Sequence, residues 1–125
     1  MRNFFTVLIV LAGSLTLIHA ARAGSVEIVS AEARLTDGGS YNFSVTLKHG
    51  DTGWEHYADK WDVAAPDGTV LGERILYHPH VDEQPFTRSL SGVKIPDTVT
   101  EVTIRAYDKK HGLSDATFTL KLPGR

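Results

Sequence analysis

Cysteine is absent from this chain of 125 residues. Its absence excludes a disulfide framework, a thiolate zinc site, an iron–sulfur cluster, a blue-copper centre and a cysteine nucleophile. An excess of basic charge is also missing, because 13 Lys and Arg stand against 15 Asp and Glu. This balance argues against a nucleic-acid partner. No Gly-x-Ser-x-Gly motif or other catalytic constellation occurs, so we expect no enzymatic activity and assign no catalytic residue.

The first 23 residues fit a secretory signal peptide. A short positive start, Met1 to Asn3, precedes an apolar run of 15 residues from Phe4 to Ile18, and Ala21-Arg22-Ala23 supplies a cleavage site. The run is shorter than the roughly 20 apolar residues of a membrane-spanning helix, so we expect no membrane anchor. Small secreted domains without disulfides are more typical of the bacterial periplasm. We therefore predict a periplasmic domain over residues 24–125.

Apolar side chains in the mature region alternate with a period of two residues. Tyr41, Phe43, Val45 and Leu47 show this most clearly, with polar residues between them. Such alternation, broken by turn residues, is typical of half-buried strands in an all-β domain. Seven strands are predicted, over residues 26–35, 41–48, 57–65, 69–77, 86–90, 102–106 and 116–122. This number predicts a single immunoglobulin-like β-sandwich with Trp61 buried on the third strand.

Two resemblances agree with this architecture. The stretch Leu90–Pro96, followed by Val102–Asp108 and Gly112, resembles the second half of bacterial immunoglobulin-like and fibronectin-type-III-like domains. The blocks Trp54–Trp61 and Tyr77–Ser89 resemble a small, uncharacterised family of bacterial secreted proteins. The resemblances imply a sandwich fold, and they imply no activity, because sandwiches of this type carry many unrelated functions.

The order of the strands predicts where polar residues gather. In an antiparallel sandwich, the loops after the second, fourth and sixth strands lie at the same end of the domain, as antibody binding loops do. All five histidines of the mature region fall in or beside these loops, together with several acids. The polar residues at this end are His49, Asp51, Glu55, His56, His78, His80, Asp82, Glu83, Asp108 and His111.

One interpretation of this end is a copper(II) or zinc site. His78 and His80 would point to the same side of an extended segment, and His56 and His111 would approach from neighbouring loops. Asp82 and Glu83 could complete the ligand shell, so the predicted ligands are His56, His78, His80, His111, Asp82 and Glu83. Met1 is the sole methionine, which disfavours a copper(I) carrier. The alternative is that these histidines are ordinary polar surface.

The other interpretation, which we favour from the sequence, is a binding module for a periplasmic protein, peptide or glycan. Trp54, Tyr57 and Tyr77 flank the same loops, and aromatic rings beside acids suit such partners. Trp54 is the best candidate for an exposed ring, whereas both tyrosines could instead pack on the strand ends. Arg88 lies at an inward position and is expected to pair with Asp82 or Glu83. The metal carrier is the alternative function.

Overall fold

A computed structural model describes residues 25–125 and shows seven antiparallel strands. The predicted signal peptide lies outside the described residues. Within the described part of the chain, no helix is long and apolar enough to cross a membrane. The strands are β1 (Glu27–Leu35), β2 (Tyr41–Lys48), β3 (Ala58–Ala64), β4 (Val70–Ile75), β5 (Phe86–Val93), β6 (Glu101–Asp108) and β7 (Gly112–Lys121).

The strands form two sheets that pack face to face. One sheet has the order β1-β2-β5 and the other has the order β4-β3-β6-β7. The predicted all-β fold, a seven-stranded sandwich, is confirmed. The pairing of β1 with β2 is irregular at one point, because the register shifts between Ile28 and Ser30.

The core between the sheets is built from alternate side chains of each strand. Trp61 is the largest of them and is completely buried, as predicted. Its fully buried neighbours come from both sheets, so that neither sheet exposes its inner face. The largest of these neighbours are Tyr41, Phe43, Leu47, Phe86 and Ile104.

The end of β4 presents its apolar side chains to opposite sides. Ile75 and Tyr77 are exposed, whereas Leu76 between them is buried. Residues directly opposite each other in a sheet share a face. Ile75 pairs with Lys60, whose ammonium group lies over the outer face of the sheet, 4.2 Å from the centre of the Tyr107 ring. Ile75 therefore points outwards because it pairs with Lys60, whose side chain lies on the outer face.

The turn between β6 and β7 is tight, and β7 begins before the predicted position 116. Gly112 already pairs with Asp108 as the first residue of β7. Gly112 has a φ of 73°, a conformation that a residue with a Cβ rarely adopts. The short turn holds Asp108 at the end of the sandwich where the β2–β3 and β4–β5 loops also lie.

A candidate metal centre at the loop end

Two polar side chains continue the buried apolar stripes of opposite sheets. In β2 the inward residues run from Tyr41 to Leu47, and the next inward position is His49. In β6 the inward residues run from Val102 to Ala106, and the next inward position is Asp108. The side chains of His49 and Asp108 have no exposed surface, and His49 Nε2 lies 3.8 Å from Asp108 Oδ2. They therefore meet inside the sandwich, directly above its core.

The carboxylate of Asp108 has two different sides. Its Oδ1 atom accepts hydrogen bonds from the backbone N–H groups of Lys110 (2.9 Å) and His111 (2.5 Å). The His111 ring nitrogen Nδ1 lies 3.1 Å from Oδ1 and 3.2 Å from Oδ2. Backbone bonds thus fix the carboxylate through Oδ1, and Oδ2 points towards His49.

His56 completes the cluster from the β2–β3 loop. A small turn, in which the N–H of His56 donates to the carbonyl of Gly53 at 3.2 Å, directs the ring inwards. Its Nε2 atom is buried and has no hydrogen-bond partner among the described residues, and it lies 3.8 Å from Asp108 Oδ1. A buried imidazole nitrogen without a partner is unfavourable by roughly 1–3 kcal/mol. A cation beside His56 Nε2 would supply the interaction that this nitrogen lacks.

Asp51 orients His49 from the side away from Asp108. Asp51 Oδ1 lies 2.5 Å from His49 Nδ1, and both side chains are fully buried. A neutral imidazole that donates from Nδ1 carries its lone pair on Nε2, the nitrogen that faces Asp108. A carboxylate that holds the second nitrogen of a histidine in this way is usual behind metal-bound imidazoles.

Asp51 also joins the loops to each other. Its carboxylate accepts the backbone N–H of His80 at 2.7 Å and the backbone N–H of Ala58 at 3.1 Å. The β4–β5 loop and the start of β3 are therefore both attached to the residue that orients His49.

The spacing of the cluster fits a small divalent cation. His49, His56 and Asp108 each offer one ligand atom, and these atoms all lie within 4.8 Å of one another. Around a tetrahedral zinc ion with bonds of about 2.0–2.1 Å, ligand atoms are about 3.3 Å apart. His49 Nε2 lies 3.8 Å from Asp108 Oδ2 and His56 Nε2 lies 3.8 Å from Asp108 Oδ1, so each ring is within about half an ångström of this spacing from the carboxylate. No second group of this kind occurs among residues 25–125.

Two of the four predicted histidine ligands lie at this cluster. His56 belongs to it, and the His111 ring centre is 5.0 Å from that of His56. His78 and His80 form a separate pair with ring centres 4.5 Å apart. The structure therefore does not bring the four predicted histidines together at one point, and His56 lies instead with His49 and Asp108.

His80 is buried against protein groups. Its ring stacks on Phe86 at 3.9 Å between centres, and its Nε2 atom lies 2.9 Å from Arg88 Nη2. Burial, together with the positive charge of Arg88 and the neighbouring His78, lowers the pKa of His80. Because the guanidinium is a donor only, His80 Nε2 accepts this bond, and the nitrogen is occupied.

The predicted acidic ligands lie on the surface. Asp82 and Glu83 are both exposed, and Glu83 Oε1 is 3.2 Å from Arg88 Nη1. The predicted pairing of Arg88 with an acid of this loop is confirmed, with Glu83 as the partner. This pair holds Arg88 beside His80.

Of the three aromatic residues predicted to bind a partner, Trp54 and Tyr57 contact each other. Tyr77 lies on another loop. Trp54 is 62% exposed, as predicted for this loop, and its ring meets that of Tyr57 edge-on with centres 5.9 Å apart. Tyr77 is 73% exposed, so it does not pack on the strand end. Tyr57 and Tyr77 both line a surface groove of about 340 Å³ that also contains Asp59.

Comparison with known proteins gives one relative. A protein of Halomicrobium mukohataei named "Putative lipoprotein" is 40% identical to this chain over 85 residues. The match covers 68% of this chain and 41% of the relative, so the chain spans less than half of the relative's length. No family model and no solved structure matches the chain.

Proposed function

We propose that this protein binds zinc or copper(II) through His49, His56 and Asp108 at the loop end of the sandwich. The observation that carries the proposal is the buried Nε2 atom of His56, which has no hydrogen-bond partner among the described residues and faces Asp108 at 3.8 Å. Polar atoms in such positions are rare in folded proteins unless water, an ion or a functional role explains them.

The donor set determines which cations are suitable. Two imidazoles and one carboxylate favour zinc or copper(II), whereas calcium and magnesium prefer shells made of oxygen alone. Asp51 and Asp108 place two carboxylates within the same buried region, and a divalent cation would offset their negative charge. Three protein ligands leave a further coordination position for water, another side chain or a receiving protein.

Isothermal titration calorimetry with zinc chloride and copper(II) chloride tests the proposal. We expect one equivalent of metal to bind the wild type with a Kd of about 1 μM or tighter. His56→Ala should abolish binding at this level, because it removes a ligand that is 19% exposed and contributes little to the core.

His78→Ala is the matched control. It removes an exposed histidine at the same end of the domain, outside the cluster, and should bind metal as the wild type does. Circular dichroism of both variants verifies the fold. Absence of metal binding by the wild type, or equal loss in both variants, would contradict the proposal.

Export to the periplasm is part of this proposed function. The N-terminal pattern of the chain supports it, and the relative's name, "Putative lipoprotein", supports export as such. When the full chain is expressed with a secretion system, mass spectrometry of the exported material should find Gly24 at the N-terminus. An intact Met1 in the membrane fraction would show instead that the segment is retained.

A binding module for a protein, peptide or glycan is the second candidate. The exposure of Trp54 and Tyr77 at the same loop end favours it, because Trp and Tyr are enriched among the residues that anchor protein interfaces. A peptide-display library and a glycan array, probed with the wild type and with a Trp54→Ala/Tyr77→Ala double variant, test it. Ligands that bind the wild type but not the double variant would support the module. If the wild type binds no ligand, the module is contradicted.

A further inference from the structure

We infer that His111 is the exchangeable ligand of the proposed metal centre, through which the metal enters and leaves. In the structure the His111 ring lies against Asp108, and on metal binding it would move from this carboxylate to the metal. The inference rests on the proposed function and adds to it a route of metal transfer.

Exposure increases in one direction across the cluster. The side chains of His49 and Asp108 are 0% exposed, His56 is 19% exposed and His111 is 47% exposed. A metal ion at His49 and Asp108 is therefore closed off by the core on one side and borders solvent on the side of His111. A competing ligand from solvent or from another protein reaches this side first.

His111 and the metal compete for the same atom. The backbone N–H groups of the β6–β7 turn bind Asp108 Oδ1, whereas Oδ2 faces His49 and is 3.2 Å from His111 Nδ1. A cation bound to Oδ2 would occupy the place where His111 Nδ1 now contacts this oxygen, so the His111 ring would turn away from it. The ring would then lie beside the metal, and an imidazole nitrogen would be able to bind it.

His111 is also the ligand with the least restraint. Its ring contacts Asp108 and, edge to face, His56. By contrast, Asp51 fixes the second nitrogen of His49, and the turn at Gly53 fixes the backbone of His56. Release of His111 therefore disturbs no hydrogen bond of the sheets.

The experiment compares wild type with His111→Ala, and His78→Ala serves as the control for loss of an exposed histidine. Electron paramagnetic resonance of the copper(II) complex and X-ray absorption of the zinc complex count bound imidazoles. We expect three in the wild type and in His78→Ala, and two in His111→Ala. Transfer of zinc to a chromogenic chelator, followed by stopped flow, should be about tenfold faster or more in His111→Ala, since even loss of an outer partner weakens metal sites by about 10–100-fold.

The outcomes separate the two proposals. A wild type that binds no metal overturns both the proposed function and this inference. A wild type that binds metal with two imidazoles, or a His111→Ala variant with an unchanged imidazole count and transfer rate, overturns the inference alone. The substitution is on an exposed turn, so the variant should remain folded, and circular dichroism verifies this.

Discussion

At the scale of single residues, Asp51 is the acid that orients His49, one of the three proposed ligands. It contacts His49 Nδ1 at 2.5 Å and so determines which nitrogen of that ring faces Asp108. Its remaining bonds are to the backbone of His80 and Ala58. The residue therefore couples the orientation of one ligand to the positions of two neighbouring chain segments.

Asp51→Asn tests this role. The side-chain amide can donate to Nδ1 and thereby favour the tautomer whose Nε2 carries the proton, so zinc affinity should fall by about 10–100-fold. Calorimetry measures the change, and Asp82→Asn, at an exposed acid of the β4–β5 loop, should leave the affinity unaltered. Equal affinities for Asp51→Asn and wild type would show that Asp51 has only a structural role.

A second prediction at this scale concerns His80. Its pKa is lowered by burial, then by Arg88 and His78, so the folded protein keeps the ring neutral below pH 6.5 while the unfolded chain takes up a proton. The contribution of neutral His80 is thus present above the unfolded pKa and is lost as the pH falls below it. Urea unfolding of the metal-free protein at about pH 7.5 and 5.5 should show a larger loss for wild type than for His80→Gln.

An NMR titration of the His80 ring provides a direct measurement. Its midpoint should lie below the ordinary value of 6.5. A midpoint at or above this value, or identical pH dependence in wild type and His80→Gln, would contradict the prediction.

The proposed ligands His49 and Asp108 have a signal in the sequence. Each follows an apolar stripe at the next inward position, His49 after Leu47 and Asp108 after Ala106. A polar residue at a core-facing position is informative, because burial without a partner is costly. The spacing of the histidines favoured His78 and His80 instead. Spacing could not predict that the His80 ring packs on Phe86.

At the scale of the elements, period-two alternation was sufficient to predict all seven strands. It did not predict strand ends that depend on pairing. β5 continues to Val93 because Val93 pairs with Tyr41 across a register shift, and β7 begins at Gly112 because that residue pairs with Asp108. Such pairs join residues that are distant in the chain or enclosed in one tight turn, and local patterns do not contain them.

Trp61 on β3 provides a test of the strand assignment. Trp61→Ala removes the largest fully buried side chain and should lower the free energy of unfolding by about 3–5 kcal/mol, a large part of the stability of a small domain. Trp54→Ala is the matched control: Trp54 is 62% exposed, and its loss should change stability by about 0.5 kcal/mol or less. Denaturant unfolding measures both.

Trp61→Phe keeps the test informative if Trp61→Ala does not fold. Phenylalanine retains most of the apolar volume and removes the indole N–H, which has no hydrogen-bond partner among the described residues. Its loss of stability should therefore be clearly smaller than that of Trp61→Ala. Similar small effects of all three substitutions would contradict a core position for Trp61.

At the scale of the whole molecule, strand order brings residues from distant parts of the chain to one end. Asp51 contacts the backbone of His80, 29 positions later, and His49 and His56 both approach Asp108. The sequence predicted this convergence of three loops from topology alone. Which side chains turn inwards depends on the packing of the two sheets, and the structure was needed to identify them.

The coupling of metal binding to folding is the prediction for the whole molecule. The proposed ligands lie on both sheets, so they come together only in the folded sandwich, and metal should stabilise that state. At free zinc of 100 times the Kd the gain is about 2.7 kcal/mol, which raises the Tm of a domain of this size by about 10 °C or more. Differential scanning calorimetry should show this rise for wild type at about pH 7.5 and its loss near pH 5, where protonated imidazoles do not bind metal. His56→Ala should show no rise at either pH, while a rise equal to that of wild type would mean that zinc stabilises the fold from another site.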